Sequence, residues 1–244
     1  MKFFDCHLHL PTPDDSGLDR LLRYLDGVSD MVGGNLILNT REEVDFAYSH
    51  LDSFPKTLNL IPYYDPATDL PSEFRESGWY KIHPTIDKLG RDAIAPLCQS
   101  LREVTDKPKG IIVHCFPWGP DLQFNISLPL VIELAQALPQ MPVLVAHGGG
   151  YESWAFRAHT GMLRNVVYDF SVTMSYYRGS DVLRPFQRYL RHSPDRIVFG
   201  SDWPSAQPED QLVECARLAN EIDVSGEQLE SILMANARRL WPEG

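Results

Sequence analysis

Asp5-Cys6-His7-Leu8-His9 opens the chain with its densest set of side chains able to do chemistry. His7 and His9 stand two apart, and on an extended strand such residues share a face with Cα atoms about 7 Å apart. Two imidazoles so placed reach one divalent cation at about 2.0–2.1 Å each. Asp5 shares that face one step lower, in position to hold a ligand from behind. Further candidates follow at wide intervals: Lys81 and His83 in Lys81-Ile82-His83-Pro84, His114 after Ile111-Ile112-Val113, His147 before Gly148-Gly149-Gly150, and Asp202 in Gly200-Ser201-Asp202-Trp203-Pro204. His114 as a third imidazole completes a three-histidine metal set. Asp202 binds such an ion weakly and takes a proton from the water it activates. A neutral His147 beside the ion polarises a carbonyl or shuttles a proton, or binds a second ion. Each also has a plainer reading. His7 and His9 serve as polar strand ends, His114 as a structural histidine, His147 as part of a glycine turn, and Asp202 as a helix cap.

The elements that carry these residues favour the chemical reading. Short apolar runs rich in Val, Ile and aromatics occupy residues 2–6, 35–39, 58–63, 79–83, 110–114, 142–147, 166–170 and 196–200. Such runs predict buried parallel strands. Between them lie stripes at helical spacing: Leu18, Leu21, Leu22 and Leu25; Val131, Leu134, Ala135 and Leu138; Val182, Phe186, Tyr189 and Leu190. A further helix is expected after Pro66. Helical stretches at 209–220 and 226–240 close the chain, and Asn236 and Arg238 read as structural. Eight strand–helix units predict an α/β fold, a single (β/α)8 TIM barrel with extra C-terminal helices, spanning 1–244 as one domain. In that barrel the active site lies at the C-terminal mouth of the strands, so all the candidate residues converge on one rim.

The pieces Asp5-Cys6-His7-Leu8-His9, Lys81-Ile82-His83-Pro84, Val113-His114-Cys115, Ala146-His147-Gly148-Gly149, Phe199-Gly200-Ser201-Asp202-Trp203-Pro204 and Asn236-Ala237-Arg238-Arg239-Leu240 resemble, in order, the amidohydrolase superfamily in its amidohydrolase-related (amidohydrolase 2) branch. The resemblance implies a distorted barrel and a divalent metal ion, with zinc expected and manganese the other choice. It implies His7, His9, His114 and Asp202 as ligands and His147 as acid/base near the substrate. Members hydrolyse amides, lactones and related bonds, or remove carboxylate from aromatic acids without oxidation. Binuclear relatives bridge their metals with a carboxylated lysine on strand four. Lys81 stands on that strand, facing as His83 does, and reads as that bridge, as a clamp on a substrate carboxylate, or as a structural ammonium. The loops Phe116-Pro117-Trp118-Gly119 and Tyr176-Tyr177-Arg178-Gly179 lie at the mouth. His83 is expected to bind substrate, Trp118 to line a pocket, and Arg178 to meet a carboxylate, with a solvated arginine as the plainer reading.

The expected activity is therefore a metal-dependent hydrolase that activates water against an amide, ester or lactone of a small, cyclic or carboxylated substrate. A metal-dependent non-oxidative decarboxylase is the alternative enzyme, disfavoured by the shortness of the chain. A non-catalytic metal or small-ligand binder is the alternative of another class. The 244 residues carry 22 Lys+Arg against 33 Asp+Glu, a formal net charge of -11. This acidic balance argues against nucleic acid and anionic lipid as partners, leaving a small-molecule substrate; a homodimer is neither marked nor excluded. Cys6, Cys98, Cys115 and Cys215 form no CxxC pair, and the first residues carry no long apolar segment, so reduced thiols and a cytoplasmic location are expected.

Overall fold

The computed structural model describes residues 1–65, 78–103, 108–117, 119 and 122–242. Eight parallel strands follow in order: β1 (Phe3–His9), β2 (Met31–Ile37), β3 (Leu58–Ile61), β4 (Trp79–Ile82), β5 (Gly110–Val113), β6 (Val143–Val145), β7 (Val166–Asp169) and β8 (Ile197–Val198). They pair as β1-β2-β3 and as β4-β5-β6-β7-β8. Two parallel bridges join the halves, Tyr63 to Lys81 and Leu8 to Trp203. At the first joint the Lys81 amide donates to the Pro62 carbonyl (2.8 Å) and Tyr64 to the Lys81 carbonyl (2.7 Å). At the second, Cys6 donates to Phe199 (2.9 Å), Asp202 to His7 (2.8 Å) and His9 to Trp203 (2.8 Å). The result is the (β/α)8 TIM barrel expected from the alternation of elements. β2 begins at Met31, before the apolar run, because Gly33 and Gly34 continue the ladder. A Cβ on Gly34 would lie 2.8 Å from the Asp5 carbonyl oxygen, so the close approach requires glycine.

The outer layer is helical: α1 (Asp15–Gly27), α2 (Arg41–Ser49), α3 (Ile94–Glu103), α4 (Ser127–Ala137), α5 (Ser153–Thr160), α6 (Thr173–Tyr176), α7 (Arg184–His192), α8 (Pro208–Asn220), α9 (Gly226–Glu230) and α10 (Asn236–Leu240). α1 starts where the Asp14 carboxylate accepts from the Gly17 amide at 2.8 Å, and α2 where the Thr40 hydroxyl accepts from Glu43 at 3.2 Å. The 226–240 stretch is broken by a π-helical segment, Ser231–Ala235, between α9 and α10. The helix expected after Pro66 lies outside the described residues. Among the described residues no helix is long and apolar enough to cross a membrane.

Inside the barrel the strands contribute one apolar cluster, including Phe4, Cys6, Ile37, Ile61, Trp79, Ile112, Leu144, Val167 and Val198, which Ala237 and Trp241 join. Side chains alternate across a strand, so the residue two positions onward returns to the interior. Those residues are Lys81 after Trp79, His114 after Ile112 and Asp169 after Val167. One step along the barrel axis thus changes its content from hydrocarbon to ionisable groups.

Candidate active site

His7 ends in a fully buried position with its two ring nitrogens facing different groups. Nδ1 donates to Asp169 Oδ2 at 3.0 Å. Nε2 lies 3.5 Å from the Lys81 ammonium and 3.5 Å from Asp202 Oδ1. Gly200 makes room for this ring, since a Cβ there would stand 2.9 Å from His7 Cβ. Asp169 is itself saturated: Oδ1 accepts from the backbone amides of His147 and Ser171, each at 3.0 Å. Burial alone would raise the Asp169 carboxyl. The charge and hydrogen bond of His7, with His147 and Ser171, outweigh it and hold the group well below the usual carboxylate range.

The same arrangement recurs at His9 and His147. His9 Nδ1 lies 3.1 Å from the Ile37 carbonyl, and His147 Nδ1 lies 3.2 Å from the Ser171 carbonyl. A carbonyl can only accept, so each Nδ1 carries a proton towards it, and in the neutral ring Nε2 then keeps its lone pair; the Asn39 side-chain amide also lies 3.1 Å from His9 Nδ1. His9 Nε2 meets Asp202 Oδ1 at 3.2 Å. Ligand atoms of His7, His147 and Asp202 lie within 4.8 Å of one another. His147 and Asp202 adopt left-handed backbone, φ 59° and 69°, and Val172 across the pocket does so at 53°. Such angles are uncommon outside glycine and strained for valine, and they cluster at functional sites. The Thr173 hydroxyl donates to the His147 carbonyl at 2.7 Å and helps hold this turn.

A cavity of about 500 Å³ opens above these groups, lined by His83, Thr85, His114, Phe116, His147, Val172, Tyr176, Asp202 and Ser205. Its walls are largely aromatic: Phe116 and Tyr176 meet edge to face at 5.9 Å, and His83 stacks on His114 at 3.8 Å. His114, expected as the third imidazole ligand, donates from Nε2 to the Phe116 carbonyl at 3.3 Å. As placed it lines the cavity, and His147 stands with His7 and Asp202. Arg178, expected at a substrate carboxylate, turns to α8, where Glu214 and Asp210 take its guanidinium at 3.3 and 3.7 Å. Trp118 lies outside the described residues.

The sequence pattern that defines amidohydrolases matches residues 79–242, more than half of the chain. The chain belongs to the amidohydrolase family. The match begins after His7 and His9, which join the site through the fold. No curated protein matches the sequence. Among solved structures the chain is similar to an uncharacterised TIM-barrel protein from Bordetella bronchiseptica, with TM-score 0.70 and 13% identity, covering 98% of each chain. It is also similar to a 2,6-dihydroxybenzoate decarboxylase from Rhizobium (TM-score 0.57, 14% identity, 99% of this chain and 98% of that one). A TatD homologue from Escherichia coli gives TM-score 0.58 and 15% identity over 99% of this chain and 98% of its own. At these identities the likeness is one of fold.

The donor set of this amidohydrolase fits a divalent cation. The Nε2 lone pair of a neutral imidazole cannot hydrogen-bond a carboxylate, because both only accept. Contacts of 3.2 and 3.5 Å between such atoms need a proton or a metal ion between them. Protonation is disfavoured at His7, which burial and then the Lys81 charge push down to about 3. Burial also lowers His147, against the pull of Asp202 and Asp169. Burial would raise Asp202; His147, His9 and His7 overcome it and keep the group a carboxylate. Burial brings Lys81 down to about 8 despite the attraction of Asp169 and Asp202. Asp169 was not among the residues singled out from sequence. The available signal was a carboxylate ending the apolar run Val166-Val167-Tyr168.

Proposed function

We propose that this amidohydrolase is a divalent-metal hydrolase, cleaving an amide, ester or lactone bond of a small, cyclic or carboxylated molecule. The reading rests on one observation. Three imidazoles are each tied at Nδ1 to an acceptor behind them and so turn Nε2 towards one carboxylate oxygen region. His7, His9, His147 and Asp202 would hold the ion, zinc by expectation and manganese otherwise. When bound, the ion would supply Lewis acidity to a carbonyl and lower the pKa of water.

The chain's own groups supply the rest. Asp202, held as a carboxylate, accepts the proton of the attacking water at Oδ1 and returns it to the leaving nitrogen or oxygen. Asp169 keeps the His7 ring in one tautomer and one orientation. Phe116, Val172 and Tyr176 bind a flat or cyclic substrate by excluding water.

The test is turnover of a panel of lactones, esters and amides before and after chelation, then with zinc or manganese restored. Turnover should vanish and return, and Asp202→Asn should lose about 10²–10⁴-fold with metal retained. Carbon dioxide release from aromatic acids without any hydrolysis, or wild-type rates in Asp202→Asn, would overturn the reading.

A further inference from the structure

The cavity holds a second kind of histidine. Beyond β4 the chain turns through His83-Pro84-Thr85-Ile86-Asp87, and the turn grips His83 on every side. The His83 amide donates to Asp87 Oδ2 at 3.2 Å, and the Asp87 amide donates back to the His83 carbonyl at 3.0 Å. Pro84 fixes its own φ and brings no competing N–H. The ring lies flat on His114, 3.8 Å away and 13° from parallel. The Ile86 amide donates to His83 Nδ1 at 3.2 Å.

That last bond decides the tautomer. A backbone N–H is a permanent donor, so Nδ1 must hold a lone pair, and the hydrogen of the neutral ring sits on Nε2. His7 and His147 have the opposite tautomer, because each meets an acceptor at Nδ1. Among the described residues nothing takes up the His83 Nε2–H, and the ring lines the cavity beside His147 and Asp202. We infer that His83 is a fixed hydrogen-bond donor of the pocket, offering Nε2–H to an acceptor atom of the substrate (a carbonyl oxygen or a ring nitrogen) and moving no protons itself. A second proton would have to displace the Ile86 amide and enter a buried place facing Lys81, His147 and His9. Burial first, then the Lys81 charge, hold the ring down to about 3. His83 is thus a specificity residue: it selects molecules carrying an acceptor opposite the ion site. Its substrate role rests on the cavity being the reaction site; its tautomer does not.

The experiment separates the two. In the full chain labelled with 15N-histidine and loaded with zinc, long-range 1H–15N correlation should find His83 protonated at Nε2 and bare at Nδ1 from about pH 5.5 to about pH 8.5. A proton on Nδ1, or a titration midpoint within that range, overturns the inference. On the ester, lactone or amide that the wild type turns over, His83→Phe keeps a flat ring without a donor and should lose about tenfold in kcat/KM, mostly through KM. His83→Gln restores an N–H near the same place and should stay within about threefold. Wild-type kcat/KM in His83→Phe overturns the recognition role. If the wild type hydrolyses nothing, the hydrolase reading fails while the tautomer measurement still stands or falls alone.

Discussion

The two ends of the barrel interior are built from the same strands and have opposite natures. At the floor, Trp241 stacks on Phe4 with ring centroids 6.1 Å apart and tilts over Trp79 at 4.5 Å, closing the barrel with hydrocarbon. At the mouth, two residues further along β4, β5 and β7, stand Lys81, His114 and Asp169. The floor needs only shape and volume, so its energy is spread over many dispersion contacts. The mouth needs named atoms at named distances, because every buried charge there must meet a partner. Stability and chemistry are therefore stacked along the barrel axis rather than mixed, and each can be altered with the other watched as a control.

Breaking the floor should produce the largest change in stability. Trp241→Ala should cost about 3–5 kcal/mol in denaturant unfolding while turnover per folded molecule stays at the wild-type level. A matching loss of turnover would mean that the two ends are coupled. Asp169→Asn strikes the mouth instead. It removes the anion that fixes the His7 tautomer, and should weaken metal binding about 10–100-fold in a chelator competition, with Trp241 still buried by fluorescence. Unchanged affinity would remove Asp169 from the site.

A smaller effect comes from Asp5, at the boundary between the two. Burial pushes its carboxyl up to about 7, although the Ser201 and His7 amides pull it down. The folded chain therefore keeps a proton that the unfolded chain releases near the model-peptide value of 3.8. Between about pH 4 and about pH 7 this group makes the metal-free protein less stable as pH rises. Asp5→Asn should flatten that part of the urea-unfolding profile; an identical slope in both proteins would contradict it. The smallest change is expected at Arg178, half-exposed and paired with α8. Arg178→Ala should move stability by about 0–1 kcal/mol, because Arg217 still holds the buried Glu214. A large rise in KM would instead bring Arg178 back to the substrate and sharpen what the mouth recognises.

The barrel was legible because each strand carries its own apolar run, and runs are local. β8 is the exception in length. It pairs regularly only over Ile197–Val198, since Phe199 hands its amide to Ile232 and its carbonyl to Cys6. The rim positions of His7, His9, His114, His147 and Asp202 were equally legible, as strand ends. Which ring nitrogen faces the cavity was not. That depends on the carbonyls of Ile37, Phe116 and Ser171 and on the amide of Ile86, and backbone groups leave no trace in residue types. Asp169 was missed for a related reason. An aspartate ending a strand reads as a turn residue until its partner is known, and that partner, His7, is 162 positions away. Arg178 sits in a loop that sequence places at the mouth, but the acids that claim it come from a helix a whole strand later.

The joint between β1 and β8 runs through the site itself, where the Asp202 amide bonds to the His7 carbonyl and the His9 amide to the Trp203 carbonyl. During synthesis a ribosome that has not yet released β8 has already made every imidazole of the cluster, yet Asp202 is absent and His7 and His9 lie on an open edge. An ion held by His7, His9, His147 and Asp202 would then be captured late in the life of the nascent chain. Such capture would report that the polypeptide has come full circle, because the joint that sets Asp202 against His7 closes only with β8.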